Sequence, residues 1–194
     1  MALPPAAPRR HQHTRTIACE GFQRDDGLWD IEARIVDTKT YAYDEPIRGH
    51  RRPGDPVHQM AVRLTLDAEM VVRDIAVDMP DTPYDACQGA APSFGSLIGR
   101  RVGPGWRSAV NECVGGTRGC THVRELLFPM ATVAFQTMVG WGDESDESST
   151  GPKRADGARP YFLDGCTAWA ADGDIVVKLY PQFAVGRAGP DGKR

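Results

Sequence analysis

No two cysteines of this 194-residue chain form a CxxC pair, no apolar stretch approaches the ~20 residues of a membrane-crossing helix, and basic residues are not in excess. The missing CxxC, with five cysteines at scattered spacings, argues against a disulfide framework and against a metal knuckle made by one short segment. A metal site would have to be assembled from distant parts of the chain. The missing apolar run excludes a transmembrane helix. The balance of 23 basic against 26 acidic residues, a net charge of −3, gives no electrostatic footprint for nucleic acid or a membrane surface. The opening MALPPAAPRRHQHTR has no hydrophobic segment of the secretory kind. The expected location is therefore the cytoplasm, with thiols reduced. There is no internal repeat. What remains is an ordinary globular composition, 41% hydrophobic and 25% charged, enough for one good core or a domain with an appendage.

The most informative stretch is Gly119-Cys120-Thr121-His122-Val123-Arg124-Glu125-Leu126-Leu127. From Val123 on, Leu126, Leu127, Met130, Val133, Ala134, Thr137, Met138 and Trp141 recur at helical spacing. Thr121 is a candidate N-cap, and Gly115, Gly116 and Gly119 break any earlier helix. Cys120 and His122 thus stand at a helix N-terminus, where the peptide dipoles and free N–H groups favour a thiolate. Pro129 should bend the helix. Cys120 taken alone reads equally well as a small buried hydrophobe.

In chain order, residues 1–14 read as a disordered tail, His11 and His13 included. Strands are expected near 17–22, 28–38, 57–66, 70–79 and 174–180. In the second of these, Trp29, Ile31, Ala33, Ile35 and Asp37 form the inward face. Asp30, Glu32 and Arg34 fall on the other face, either a solvated strand surface or a charged wall beside a pocket. Residues 40–56 read as loop. His58 opens the third strand on its apolar face. Cys87 follows the hairpin, and short helices are expected at Phe94–Ile98 and about Trp106–Glu112. Residues 142–159 are acidic and aperiodic, a flexible loop. Residues 160–185 complete the main domain of 15–141, Cys166 lies by a turn, and 186–194 is a loose tail.

Two resemblances bear on this chain. The stretches RDDGLWDIE, VDTK, PGDPVH, RLTLD, the Pro-Tyr-x-x-Cys at Cys87, GGTRGCTHVREL and ATVAFQT resemble a conserved bacterial domain family of unknown function, over roughly residues 15–140. That resemblance implies that Asp26, Trp29, Asp30, Asp37, Lys39, His58, Cys87, Cys120, His122 and Glu125 fit the family pattern, and it carries no activity. More distantly, Gly54-Asp55 before a hairpin, Cys87 after it, and Cys120 with His122 at a later helix resemble the U-type iron–sulfur cluster scaffold proteins. The first scaffold cysteine would fall near Pro53, which is no ligand.

These readings converge on an α+β fold, an antiparallel sheet covered by one long helix and shorter ones. The expected function is a zinc-dependent enzyme, lyase or hydrolase, acting on a small carbonyl or carboxylate substrate. The metal candidates are His58, Cys87, Cys120 and His122, because zinc takes thiolate and imidazole. Glu125 or Asp55 would be general acid/base, Arg24 and Lys39 would hold a substrate anion, and Asp30 would belong to the charged wall. The alternatives are a metal or iron–sulfur carrier and a structural zinc site in an interaction domain. The expected partner is a small molecule, with neither nucleic acid nor membrane, and a homodimer is an open option.

Overall fold

The computed structural model describes residues 3–138, 159–160 and 162–186. They belong to two compact units, divided between Pro152 and Lys153.

The first unit is an α+β layer. Its sheet is antiparallel, with strands β1 (His13–Gln23), β2 (Trp29–Lys39), β5 (Pro56–Leu66) and β6 (Val72–Asp81) in the spatial order β1-β2-β5-β6. A separate two-stranded ribbon, β3 (Tyr43–Glu45) and β4 (Gly49–Arg51), lies between β2 and β5 in sequence. Period-two alternation builds the core face: Trp29, Ile31, Ala33, Ile35 and Asp37 of β2 are all buried. The register places Ile17, Ile35 and Met60 side by side across three strands, and one row further Arg15, Asp37 and His58. Apolar rows thus run along the sheet and end in a polar one.

One helix covers this face. Helix α2 (Thr121–Met138) buries Val123, Leu126, Leu127, Met130, Ala134 and Met138. Trp106, the first residue of α1 (Trp106–Val114), donates its indole N–H to the Leu127 carbonyl at 2.8 Å. The far end of α2 seats on Gly21 of β1, where a Cβ would lie 1.9 Å from Thr137 Oγ1. That fit limits how closely the C-terminal half of the helix approaches β1.

Several expectations need correction. Residues 174–180 are not a fifth strand: Asp174–Leu179 form a short helix, α3, in the second unit. A short segment with four apolar residues, Ile175, Val176, Val177 and Leu179, does not distinguish strand from helix by period alone, and here Asp174 stands in the first turn, Lys178 in the last, and Val176 is buried. The first strand begins at His13, so the expected tail reaches too far into the chain. Residues 40–56 are not all loop, since Glu45 accepts from Arg48 Nη2 and from the Tyr43 hydroxyl, both at 2.8 Å, and so ties the β3–β4 ribbon. The short helix expected at 94–98 is the end of a longer 3-10 run, Asp85–Leu97. Helix α2 starts at Thr121, so the capping position is Cys120, whose carbonyl accepts the Arg124 N–H at 2.9 Å. Trp141 and the acidic stretch 142–158 lie outside the described residues.

In the second unit, Phe162 and Trp169 rings meet at 4.7 Å and both approach Tyr180, while Leu163, Ala171 and Val176 are buried. Cys166 is exposed there. No helix among the described residues is long and apolar enough to cross a membrane.

Candidate functional site

The polar row at the end of the sheet meets the first turn of α2, and there a site is built. Asp37 is 1% exposed, a carboxylate in the inward register of an otherwise apolar strand face. A buried charge needs partners, and Asp37 has three. Arg15 holds it with both sides of its guanidinium, Nε to Oδ1 at 2.7 Å and Nη2 to Oδ2 at 2.8 Å. His58 Nδ1 donates to Oδ2 at 3.0 Å. His13 Nε2 stands 3.2 Å from Oδ1. Neighbouring strands supply these groups: Arg15 is Asp37's register partner on β1 and His58 its partner on β5.

Helix α2 adds the other half. The His122 ring lies against that of His58, centroids 3.8 Å apart and planes inclined by 32°. Glu125, one turn on, accepts from Arg15 Nη1 at 2.9 Å. Arg15 therefore bridges the buried carboxylate and the half-exposed one. Cys120 Sγ lies 4.0 Å from His122 Nδ1 and 4.0 Å from Met60 Sδ. Among the described residues, the group of three metal-capable side chains whose ligand atoms lie within 4.8 Å of one another is Asp37, His58 and His122.

The electrostatics follow from this packing. Burial pushes the His58 imidazole below its ordinary value, the neighbouring His122 pushes the same way, and Asp37 only partly opposes them. Burial and the Arg15 charge lower His122. For Asp37, burial works to raise its value, but the hydrogen bonds and charges of Arg15 and His58 outweigh it, and the net shift is downward. The result is an ionised carboxylate beside two imidazoles that are neutral at neutral pH, the form that accepts a proton or binds a metal. Because a carboxylate can only accept, His58 carries its proton on Nδ1 and leaves the Nε2 lone pair free.

The other candidates from sequence lie elsewhere. Cys87 sits in the 3-10 run, half-buried against the core, and is not in the three-membered group. Arg24 pairs with Asp26 at 2.6 Å near the β1–β2 turn. Asp30 accepts from the Thr65 hydroxyl at 2.6 Å. It is seven residues from Asp37 along β2, about 23 Å, and on the opposite face. There Glu32 and Arg63 pair at 2.7 Å, so the charged strand face is an ion-paired surface turned away from α2. Lys39 Nζ lies 3.9 Å above the Tyr43 ring. Asp55 accepts the Arg52 N–H at 2.8 Å in the loop before β5. His13 lies in the stretch that reads as a disordered tail, and Arg15, just beyond it, carries no pattern in the sequence that marks it. Asp37 carried a usable signal, a charged residue in phase with Trp29, Ile31, Ala33 and Ile35.

Comparison with known proteins finds no match among curated proteins and none among solved structures. A family match spans residues 13–136, from the first residue of β1 almost to the end of α2, and so takes in every residue of this site. By that match the chain belongs to the family described as protein of unknown function (DUF2889).

Proposed function

We propose that this protein is a zinc-dependent enzyme of hydrolase or lyase type, acting on a small carbonyl- or carboxylate-bearing substrate. The observation that carries the reading is the convergence of Asp37, His58 and His122 from three separate elements, with ligand atoms within 4.8 Å of one another. His58 through Nε2 and His122 are the imidazole ligands. Cys120 stands outside that group but is the candidate third ligand, since sulfur and nitrogen donors on one tetrahedral zinc lie roughly 3.6 Å apart and its Sγ is 4.0 Å from His122 Nδ1; metal binding has to draw it towards His58. Asp37 has its oxygens taken by Arg15, His58 and His13. It therefore stands behind His58 and fixes its orientation, as carboxylates do for metal-binding histidines. Coordination requires the stacked rings to open from their 3.8 Å contact.

When bound there, the ion polarises a carbonyl or lowers the pKa of a water. Glu125, whose side chain is 42% exposed, is the acid/base group beside the site. Arg15, which it shares with Asp37, offers the charge for a substrate oxyanion or carboxylate. A carrier of an iron–sulfur cluster would call on several thiolates, and both Cys87 and Cys120 lie outside the group of Asp37, His58 and His122, so that reading has less support. A second reading draws on the His58–Asp37 hydrogen bond: the pair acts as a metal-free base dyad.

Calorimetric titration of zinc into chelator-treated protein, followed by the cobalt(II) absorption spectrum, separates these readings. Stoichiometric binding with a thiolate–cobalt charge-transfer band supports the metal enzyme. Absence of binding leaves the dyad.

A further inference from the structure

On the other side of α2 lies a groove that the site above does not use. Arg124 is two residues from His122, so the two side chains project about 160° apart around the helix. Arg124 lines an open cavity of about 700 Å3 together with Arg107 and Asn111 of α1, the loop at Gly116, Arg118, and Phe128 of α2. None of the residues lining it is acidic. Three arginines therefore line one space in a chain whose net charge is −3.

Their present bonding leaves donors to spare. Arg118 spends one Nη2 hydrogen bond on the Asn111 carbonyl, at 3.0 Å. The Arg124 Nε–H is buried and has no acceptor among the described residues. A buried donor without a partner is uncommon, and it leaves the Arg124 guanidinium under-bonded beside the groove. The Arg107 guanidinium stacks over the Phe128 ring at 4.1 Å, giving the groove a flat cationic wall. The loop leaves the space open: Gly116 has φ +61, which favours glycine, and a Cβ there would meet nothing within 4 Å.

We infer that this groove binds a small organic phosphate: an oxyanion held by Arg107, Arg118 and Arg124, carried on a planar body that lies along the Arg107–Phe128 wall. Guanidinium forks match phosphate oxygens with two parallel hydrogen bonds each, and a cavity of this size suits a small ligand. The inference does not depend on the zinc reading, because no residue is shared between the two places.

The test is a titration of the full-length protein with phenyl phosphate, followed by amide NMR shifts, in wild type, Arg118→Gln, Arg124→Gln, Phe128→Ala and, as a control, His58→Ala. Saturable binding is expected in wild type and in His58→Ala, with shifts at Gly116–Arg118. Each arginine substitution should weaken it by about tenfold, and inorganic phosphate, lacking the ring, should bind about tenfold more weakly than phenyl phosphate. No saturation in wild type, or undiminished binding in both arginine variants while their spectra remain folded, would overturn the assignment. Equal affinity for inorganic and phenyl phosphate, unchanged in Phe128→Ala, would overturn the planar body.

Discussion

The imidazoles of His58 and His122, 64 residues apart in the chain, lie face to face with centroids 3.8 Å apart. One comes from the third strand of the main sheet and the other from the first turn of the covering helix. No local constraint brings them together, so their contact reports the docking of α2 on the sheet. If both bind one ion, zinc added to chelator-treated protein should move the ring signals of both in parallel, reaching an end point at about one equivalent. Independent shifts with different end points would contradict a shared ion.

Asp37 is the hub of the row. Replacing it by Ala removes the acceptor of Arg15 and of His58 together. The expected loss is about 1–3 kcal/mol of stability in the metal-free protein, read from urea unfolding with chelator present. Asp37→Asn keeps one acceptor oxygen and should lose less, while still weakening zinc by about 10- to 100-fold. An unchanged unfolding midpoint for Asp37→Ala would show that the buried carboxylate contributes nothing net.

Gly21 fixes the far end of the helix. A methyl group there overlaps Thr137 Oγ1 at 1.9 Å and its Cβ at 2.7 Å. Gly21→Ala should therefore destabilise by about 1–3 kcal/mol, and Thr137→Ala in the same chain should recover part of this, because the Cβ overlap remains. Additive effects in that double-mutant comparison would mean that α2 does not sit on Gly21 in this way.

The β3–β4 ribbon gives a prediction about pH. The Arg48 guanidinium, foremost by its hydrogen bonds, holds the Glu45 carboxyl below its usual range against the opposing effect of burial. On acidification the unfolded chain takes up this proton first. The contribution of Glu45 is thus fully present above the ordinary value near 4.5 and is lost as pH falls through the lower folded one. Both side chains are mostly shielded, and a difference of about 1 kcal/mol between wild type and Glu45→Gln is expected at pH 7. It should shrink below pH ~4. A difference that grew on acidification would reverse the sign of this linkage.

Much of the fold was legible in the chain because its signals are periodic. Trp29 to Asp37 alternate strictly, and α2 repeats its apolar residues at three and four, so both elements fall close to where they are expected. His58 and His122 were found as residue types at element ends. Nothing in the sequence marks Asp37 as a hub, although it stands in the inward register. Its meaning depends on Arg15, which comes from a segment with no pattern of its own until β2 pairs with it. Asp174–Leu179 failed for the opposite reason: a short apolar run fits two periods, and only its packing decides. Cys87 is a ligand type at a plausible place after a hairpin, but the 3-10 run carries it to the core edge.

The most direct test is the zinc content of the purified, untagged protein beside His58→Ala, His122→Ala, Cys120→Ala and Cys87→Ala, measured by elemental analysis with folding checked by circular dichroism. The account predicts about one zinc per chain in wild type and in Cys87→Ala, and loss of zinc in both histidine variants and in Cys120→Ala. Zinc retained in folded His58→Ala and His122→Ala, or lost in Cys87→Ala alone, would contradict it.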